Sequence, residues 1–334
     1  MNRFISFGEV LLRLSSRPEV RLQQAHTLDV VYGGSEANVA AALAQWEISS
    51  AHVTVLPDSD IGQAALRSLR SFGIETNFIG HGPGRMGIYY LEPGSQVRSP
   101  RVIYDRFHSS FAQAQPQSYV WPDIIHGASW FHWSGITPAV SANAATACRD
   151  AIVTARAAKL TISADINYRR VLWQYGMQPY EIMPELIRES DVIVGSAADF
   201  SNCLGIPLDP NLPLDQIAAR VHVHAPRMSW LANTIRVTHH AHHQELQGEL
   251  WYGGTLYRSR KYDIQPVVDR VGSGDAFVAG LIHGRMTEKS PQEVIEFATA
   301  AAVFKHSVQG DVICAHLSEI EQLMSGSQIG KLLR

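Results

Sequence analysis

Short apolar runs alternate with longer segments of helical spacing along most of the chain. Residues 4–7, 53–56, 130–134, 160–165 and 191–194 read as strands, and residues 10–14 as a further extended stretch. Between and after them, residues 35–44, 60–72, 141–159, 179–190, 292–306 and 317–324 carry the spacing and composition of helices, the second stopped by Gly73. Alternating β and α implies an α/β fold, a doubly wound, mostly parallel sheet flanked by helices, with ligands at the carboxyl ends of its strands. One region breaks the rhythm. Residues 88–92 and 101–106 are strand-like, Pro93-Gly94 and Ser99-Pro100 mark turns, and no helix intervenes. This predicts an antiparallel ribbon projecting from the body, part of a small β lid drawn from about 9–32 and 86–110 within one domain spanning 1–334.

The stretch that organises the chain is Asp269-Arg270-Val271-Gly272-Ser273-Gly274-Asp275-Ala276-Phe277. Upstream, residues 264–268 are expected to be extended, because Pro266 is excluded from a helix interior and β-branched residues follow it. Downstream, residues 276–286 read as a mostly buried helix. A glycine-rich turn that feeds a helix N-terminus lets backbone N–H groups approach an anion. Asp275 then places a carboxylate where an anion would bind, and accepting the proton of an attacking hydroxyl is a task that suits it. The same four residues also make an ordinary helix cap.

A chain of 334 residues, 46% hydrophobic, suits one large α/β domain or two smaller ones. The net charge of −3 is interspersed, which argues against nucleic acid or an anionic membrane as partner. No apolar run approaches a membrane span, and the first residues meet a charge too early for a signal peptide. Cys148, Cys203 and Cys314 are odd in number and scattered, which points to a reducing cytoplasm.

Other patterns resolve into turns or loops. Gly82-Pro83-Gly84-Arg85-Met86-Gly87 spells a dinucleotide fingerprint but precedes a strand instead of a helix, so it reads as a turn. His239-His240-Ala241-His242-His243 reads as a solvated loop before it reads as a metal site. No nucleophile elbow, C-x-x-C pair or Walker-A pattern occurs. Arg106 and Arg169 each follow or edge a strand; together with Tyr89, Tyr104 and Asn167 they could form a pocket for a carboxylate and hydroxyls, since guanidinium matches a carboxylate fork.

Gly33-Gly34 with Asn38, paired with Asp269 and Gly272-Ser273-Gly274-Asp275, resembles the two signatures of the ribokinase-like (PfkB) carbohydrate kinases. The resemblance runs from the first strand to Gly310-Asp311. Within that family the chain is most similar to 2-keto-3-deoxygluconate kinases, through residues 87–90, 102–106, 134–139, 165–169 with Leu172-Trp173, and 305–311. The resemblance implies transfer from ATP to a primary hydroxyl of a sugar acid. Asp275 would be the base, and the Gly272-Ser273-Gly274 backbone the anion hole. Gly34, Asn38, Tyr89, Tyr104, Arg106, Ile136, Asn167, Arg169 and Asp311 would line the sugar site, under a lid that excludes water. It further implies Mg²⁺, leaves a monovalent cation requirement open, and suggests a homodimer through the lid edges. Two turns depart from the family pattern. Ser196-Ala197-Ala198-Asp199 stands for Asn-x-x-Glu, so Asp199 would meet the metal through water. Thr234-Ile235-Arg236 stands for the nucleotide-side Thr-x-Gly turn, with Arg236 able to supply phosphate charge. A kinase for a neutral ketose such as fructose, and a non-catalytic sugar-acid-binding relative, remain alternatives.

Overall fold

The computed structural model describes residues 3–95 and 97–326; Met1, Asn2, Gln96 and residues 327–334 of the expected domain lie outside the described residues. In chain order the strands are β1 (Arg3–Phe7), β2 (Leu11–Ser15), β3 (Asp29–Gly33), β4 (Ser49–Pro57), β5 (Ile79–Gly82), β6 (Gly87–Glu92), β7 (Arg101–Asp105), β8 (Trp130–Ser134), β9 (Thr161–Asp165), β10 (Val192–Val194), β11 (Trp230–His240), β12 (His243–Tyr252), β13 (Thr255–Arg258) and β14 (Tyr262–Ile264). The helices are α1 (Ser35–Gln45), α2 (Asp60–Ser71), α3 (Ser110–Gln113), α4 (Trp121–Ile125), α5 (Thr137–Val140), α6 (Ala142–Ala157), α7 (Pro179–Arg188), α8 (Ala197–Leu204), α9 (Leu214–His224), α10 (Ser273–Met286), α11 (Pro291–Lys305) and α12 (Leu317–Ser325).

The main sheet runs β13-β12-β11-β10-β9-β8-β1-β4-β5, with β14 paired to β12. From β5 to β11 every pairing is parallel, and β12, β13 and β14 add antiparallel pairs at one edge. Both faces are covered, which explains the near-continuous apolar strands. Alternate residues of one strand serve opposite layers: Phe4 belongs to the core cluster that includes α1, α10 and α11, whereas Ile5 and Phe7 belong to the cluster that includes α6 and α7. The chain leaves β1 for β4 on one side and later returns to β8 on the other. That reversal opens a crevice beyond the carboxyl ends of the strands, the place where such sheets bind ligands.

Helix α10 is apolar on nearly every side because it is buried on nearly every side. It lies against α11 so closely that a Cβ on Gly280 would stand 2.5 Å from Ala298 Cα. This contact fixes the axis, and therefore the aim, of the helix N-terminus.

The expected ribbon is present, β6 pairing antiparallel with β7, and it joins β2 and β3 in a four-stranded sheet, β3-β2-β6-β7, whose central pair β2 and β6 is parallel and distant in sequence. Two expectations need correction. The histidine-rich stretch is not a loop but the tip of the β11–β12 hairpin, with His240 opposite His243. His239 and His243 pair there with Glu245 and Asp263. Residues 264–268 are not a continuous strand: β14 ends at Ile264, before Pro266, which has no N–H to give a ladder.

Candidate active site

A cleft of about 550 Å³ lies between the main sheet and the small sheet. Its lining includes every candidate site residue predicted from the sequence: Gly34, Asn38, Tyr89, Tyr104, Arg106, Ile136, Asn167, Arg169, Ser196, Asp199, Thr234, Arg236, Gly272, Ser273, Gly274, Asp275 and Asp311. They converge because three groups of elements meet here: the segments after β8, β9 and β10 with the middle of β11, the residues of β6 and β7, and the starts of α1 and α10.

At the floor, Gly272 is the N-cap of α10 in the left-handed region, with φ of 81°, and no side chain caps the helix. Asp275, in the first turn, does not turn back on its own helix. Its carboxylate instead accepts hydrogen bonds from Ser35 Oγ (2.9 Å) and Asn38 Nδ2 (2.7 Å), both on α1. Asn38 is held in turn by the Gly34 amide, which donates to its Oδ1 at 3.2 Å. The side-chain cap reading therefore fails: Ser273 N donates to the Arg270 carbonyl, while among the described residues the Gly274 and Asp275 amides, at the cleft, have no hydrogen-bond partner. Burial pushes the Asp275 carboxyl up to about 6, against the pull of Asn38 and Ser35.

The two glycines of this loop do different jobs. A Cβ on Gly272 would stand 1.8 Å from the Asp311 carbonyl oxygen, so this glycine permits close packing. A Cβ on Gly274 would meet nothing within 4 Å; this glycine keeps space open in front of the N-terminal amides.

The charges are distributed less evenly than the sequence suggests. Arg106 is buried and already paired: Nε donates to Glu9 Oε2 at 2.7 Å, Nη2 donates to the same oxygen, and Ser109 donates to Glu9 Oε1. The two arginines expected to read a carboxylate together thus differ in this structure, because Glu9 already pairs with Arg106. Arg169 is exposed at the cleft and makes no hydrogen bond or ion pair through its side chain among the described residues. Asp311 and Tyr89 are also engaged within the protein, Tyr89 Oη donating to Asp311 Oδ2 at 2.5 Å.

On the other side, Thr234 and Arg236 do not form a turn. They lie within β11, opposite Gly248 and Leu246 of β12, and strand alternation puts both on the same face. Arg236 donates to Gln244 Oε1 (2.9 Å) and to Ser273 Oγ (3.1 Å) at the start of α10. Burial, with Arg270 nearby, pushes its guanidinium down to about 10, the mark of a cation without a counter-charge. Asp199 is the third residue of α8 and forms a capping box with Ser196, accepting from Ser196 N (2.8 Å) and Oγ (2.6 Å); its other oxygen accepts from Tyr168 N at 3.1 Å. Asp165, at the end of β9, was not singled out from the sequence. Burial, then the carboxylates of Asp275 and Asp199, raise its pKa well above the ordinary carboxylate range. Ser35, Glu9, Asp165 and Arg270 were not among the candidate site residues; Ser35 beside Gly33-Gly34, Asp165 and Arg270 lay next to or within stretches that carried a signal, whereas Glu9 carried none.

Sequence and structure comparisons agree with this geometry. The pattern of the pfkB family of carbohydrate kinases matches residues 1–317. The chain is 29% identical over 327 residues to a 2-dehydro-3-deoxygalactonokinase from Haloferax volcanii, with 98% of each chain covered. Its fold superposes on 2-dehydro-3-deoxygluconokinase from Thermotoga maritima with a TM-score of 0.93 at 36% identity, covering 97% of this chain and 98% of that one. A PfkB family carbohydrate kinase from Listeria grayi gives a TM-score of 0.92 at 33% identity, covering 97% and 100%. With its glycine-rich loop into α10, its two-sided cleft and a family match over nearly its whole length, this chain is a member of the pfkB family of carbohydrate kinases.

Proposed function

We propose that the protein transfers the γ-phosphoryl group of ATP to a primary hydroxyl of a 2-keto-3-deoxy sugar acid, 2-keto-3-deoxygluconate or a close epimer. One observation carries the reading: Asp275 stands at an uncapped helix N-terminus with both carboxylate oxygens held by α1. Asp275 takes the proton of the substrate hydroxyl as that oxygen bonds to phosphorus and the bond to the β-phosphate oxygen breaks. The amides of the Gly272–Asp275 turn and Arg236 balance the charge that builds on the phosphoryl oxygens. Arg169 reads the carboxylate of the sugar acid; Gly34, Asn38, Tyr104, Ile136 and Asn167 shape the pocket around its hydroxyls. The small sheet acts as a lid that excludes water, so that phosphoryl transfer goes to sugar.

Mg²⁺, when bound with the nucleotide, supplies charge neutralisation between its phosphates. The donor set fits contact through water: among the described residues no group of three side chains forms a direct metal site. The carboxylates of Asp165, Asp199 and Asp275, mutually repelling, would favour a nearby cation. As for a monovalent ion, the Lys305 ammonium already donates to the Asp269 and Val308 carbonyls behind the loop, so those carbonyls offer no vacant cage. Val30, Val102, Ile103 and Phe107 of the small sheet and its β7 end are exposed apolar residues, which supports a homodimer formed through the lids. Free thiols at Cys148, Cys203 and Cys314 fit a cytoplasmic enzyme, and no described helix is long and apolar enough to cross a membrane.

The Glu9–Arg106 pair supports a second reading, a neutral ketose as substrate, because it leaves one wall of the pocket without net charge. A coupled ADP-release assay with 2-keto-3-deoxygluconate, 2-keto-3-deoxygalactonate, gluconate and fructose separates the two. Higher kcat/KM for a keto-deoxy acid is expected. Faster turnover of fructose would sink the substrate class, and no ADP release with any of them would sink the kinase reading.

A further inference from the structure

The loop into α10 is held from behind by a residue of the small sheet. Arg13, in the middle of β2, is 3% exposed. Its guanidinium forks across two carboxylates: Nη2 donates to Asp269 Oδ2 at 2.6 Å and Nη1 to Asp311 Oδ1 at 2.7 Å, while Nε donates to Ser15 Oγ at 2.6 Å. These carboxylates bracket the Gly272–Asp275 turn. Asp269 begins the loop, its Oδ1 accepting from Val271 N at 3.0 Å and its Oδ2 also accepting from Gly310 N at 3.1 Å. Asp311 closes the loop, since its carbonyl occupies the space beside Gly272 that a side chain would need. Asp311 also receives the Tyr89 hydroxyl from β6. The Arg13 guanidinium of β2 thereby joins the small sheet to both sides of the loop, and the Tyr89 hydroxyl of β6 adds a second link through Asp311.

Such a triad is a poor device for stability alone. Taking three charges out of water costs more than most ion-pair geometries return, and packed apolar residues stabilise as well or better. What a fork offers instead is direction, because two prongs fix two carboxylates relative to each other in a way a point charge cannot. We propose that Arg13 is a positioning residue that makes the small sheet and the phosphoryl loop one mechanical unit, so that covering the substrate and aligning Asp275 with the anion hole are a single event. This rests on the kinase reading for its catalytic consequence, though not for the coupling itself.

The test compares wild type with Arg13→Lys, which keeps the charge but cannot bridge both carboxylates, and with Asp269→Asn, which removes the charge of one arm and one of its two acceptor oxygens without changing volume. The expected result for each is a kcat roughly 10–100-fold lower, as for a misplaced catalytic group, with the KM for 2-keto-3-deoxygluconate within about threefold. A larger share of ADP should form without sugar phosphate, because water reaches an imperfectly covered site. The double variant should lose little more than the worse single, as for partners in one interaction. Hydrogen–deuterium exchange should quicken in residues 11–15 and 269–277 together. Wild-type kcat and coupling in Arg13→Lys, or faster exchange in one segment without the other, would overturn the proposal. A raised KM with unchanged kcat would also do so, assigning Arg13 to sugar binding. If Arg13→Lys does not fold, Asp269→Asn carries the same readouts. The exchange result stands even if no sugar is phosphorylated, so failure of the kinase reading and failure of the tether are distinguishable.

Discussion

Replacing Asp275 by Asn separates chemistry from stability, because the two should move in opposite directions. The exchange is isosteric, and the hydrogen bonds survive it. The carbonyl oxygen of the new side chain can accept from Asn38 Nδ2, while its amide nitrogen donates to Ser35 Oγ, whose hydroxyl is free to rotate. Only the proton acceptor is lost. As a general base its removal should lower kcat by roughly 10²–10⁴-fold. The same carboxyl is held at a pKa of about 6 by burial, above its ordinary 3.8. Each pH step of that displacement is worth about 1.36 kcal/mol, so at about pH 7.5 the charged group destabilises the fold by about 3 kcal/mol. Asn removes that cost, and a gain of roughly 1–3 kcal/mol, a few degrees in Tm, is expected once water in the cleft is allowed for. The folded carboxyl binds its proton at higher pH than the unfolded one. Wild type should therefore gain stability as pH falls from about 6 toward 4, and the difference between the proteins should disappear below that window. Wild-type kcat/KM should in parallel fall about tenfold per pH unit below about 6. Coupled ADP release and thermal denaturation from about pH 4 to 8 measure both. Near-normal kcat in the variant would refute the base assignment; an inactive variant that is also destabilised at about pH 7.5 would refute the electrostatic argument.

Arg169→Ala should cost roughly 10–150-fold in kcat/KM for the sugar acid, one charge-assisted hydrogen bond, and leave a neutral ketose nearly unaffected; equal losses on both substrates would remove Arg169 from carboxylate recognition. Arg106→Ala should instead strand Glu9 and destabilise the protein by roughly 3–5 kcal/mol, lowering activity on both substrates alike, as thermal denaturation beside the same assay would show. Gly274→Ala should keep the wild-type Tm while activity falls, since its side chain enters open space, whereas Gly272→Ala should lower both, because φ of 81° and the Asp311 carbonyl leave no room. Asp199→Ala should raise the Mg²⁺ concentration at half-maximal rate and lower stability by about 1 kcal/mol through the lost capping box; an unchanged Mg²⁺ dependence would place the metal elsewhere.

Strands buried on both faces were legible because their apolar runs leave a local trace, and Gly272-Ser273-Gly274-Asp275 was legible because a loop-to-helix anion site needs small residues in sequence. The β11–β12 hairpin was not, because its outer half is Thr, His and Gln, whose strand character is realised only in the pairing of each with the other. The parallel contact of β2 with β6 likewise joins segments with no shared periodicity. Arg13 looked like any polar residue in an extended stretch; its partners are 256 and 298 residues away.

The same limit governs which charges are free, and that decides what the cleft can take. Local sequence put Arg106 and Arg169 on the same footing, but Glu9, 97 residues from Arg106, pairs with one and leaves the other open. Arg13 is likewise held between Asp269 and Asp311. Among the described residues, the cleft cations without a carboxylate partner are then Arg169 beside Asn167, and Arg236 and Arg270 beside the Gly272–Asp275 turn. A half-buried guanidinium that donates only to the neutral groups of Gln244, Ser273 and His306 is stable enough to persist but is better placed with an anion before it. Two positive groups, the Arg236–Arg270 pair and Arg169, share one cleft with the Asp275 carboxylate of raised pKa, which suits one anion to be attacked and another to be read. A kinase acting on a neutral sugar needs the first of these; the second, Arg169, is what favours an acid.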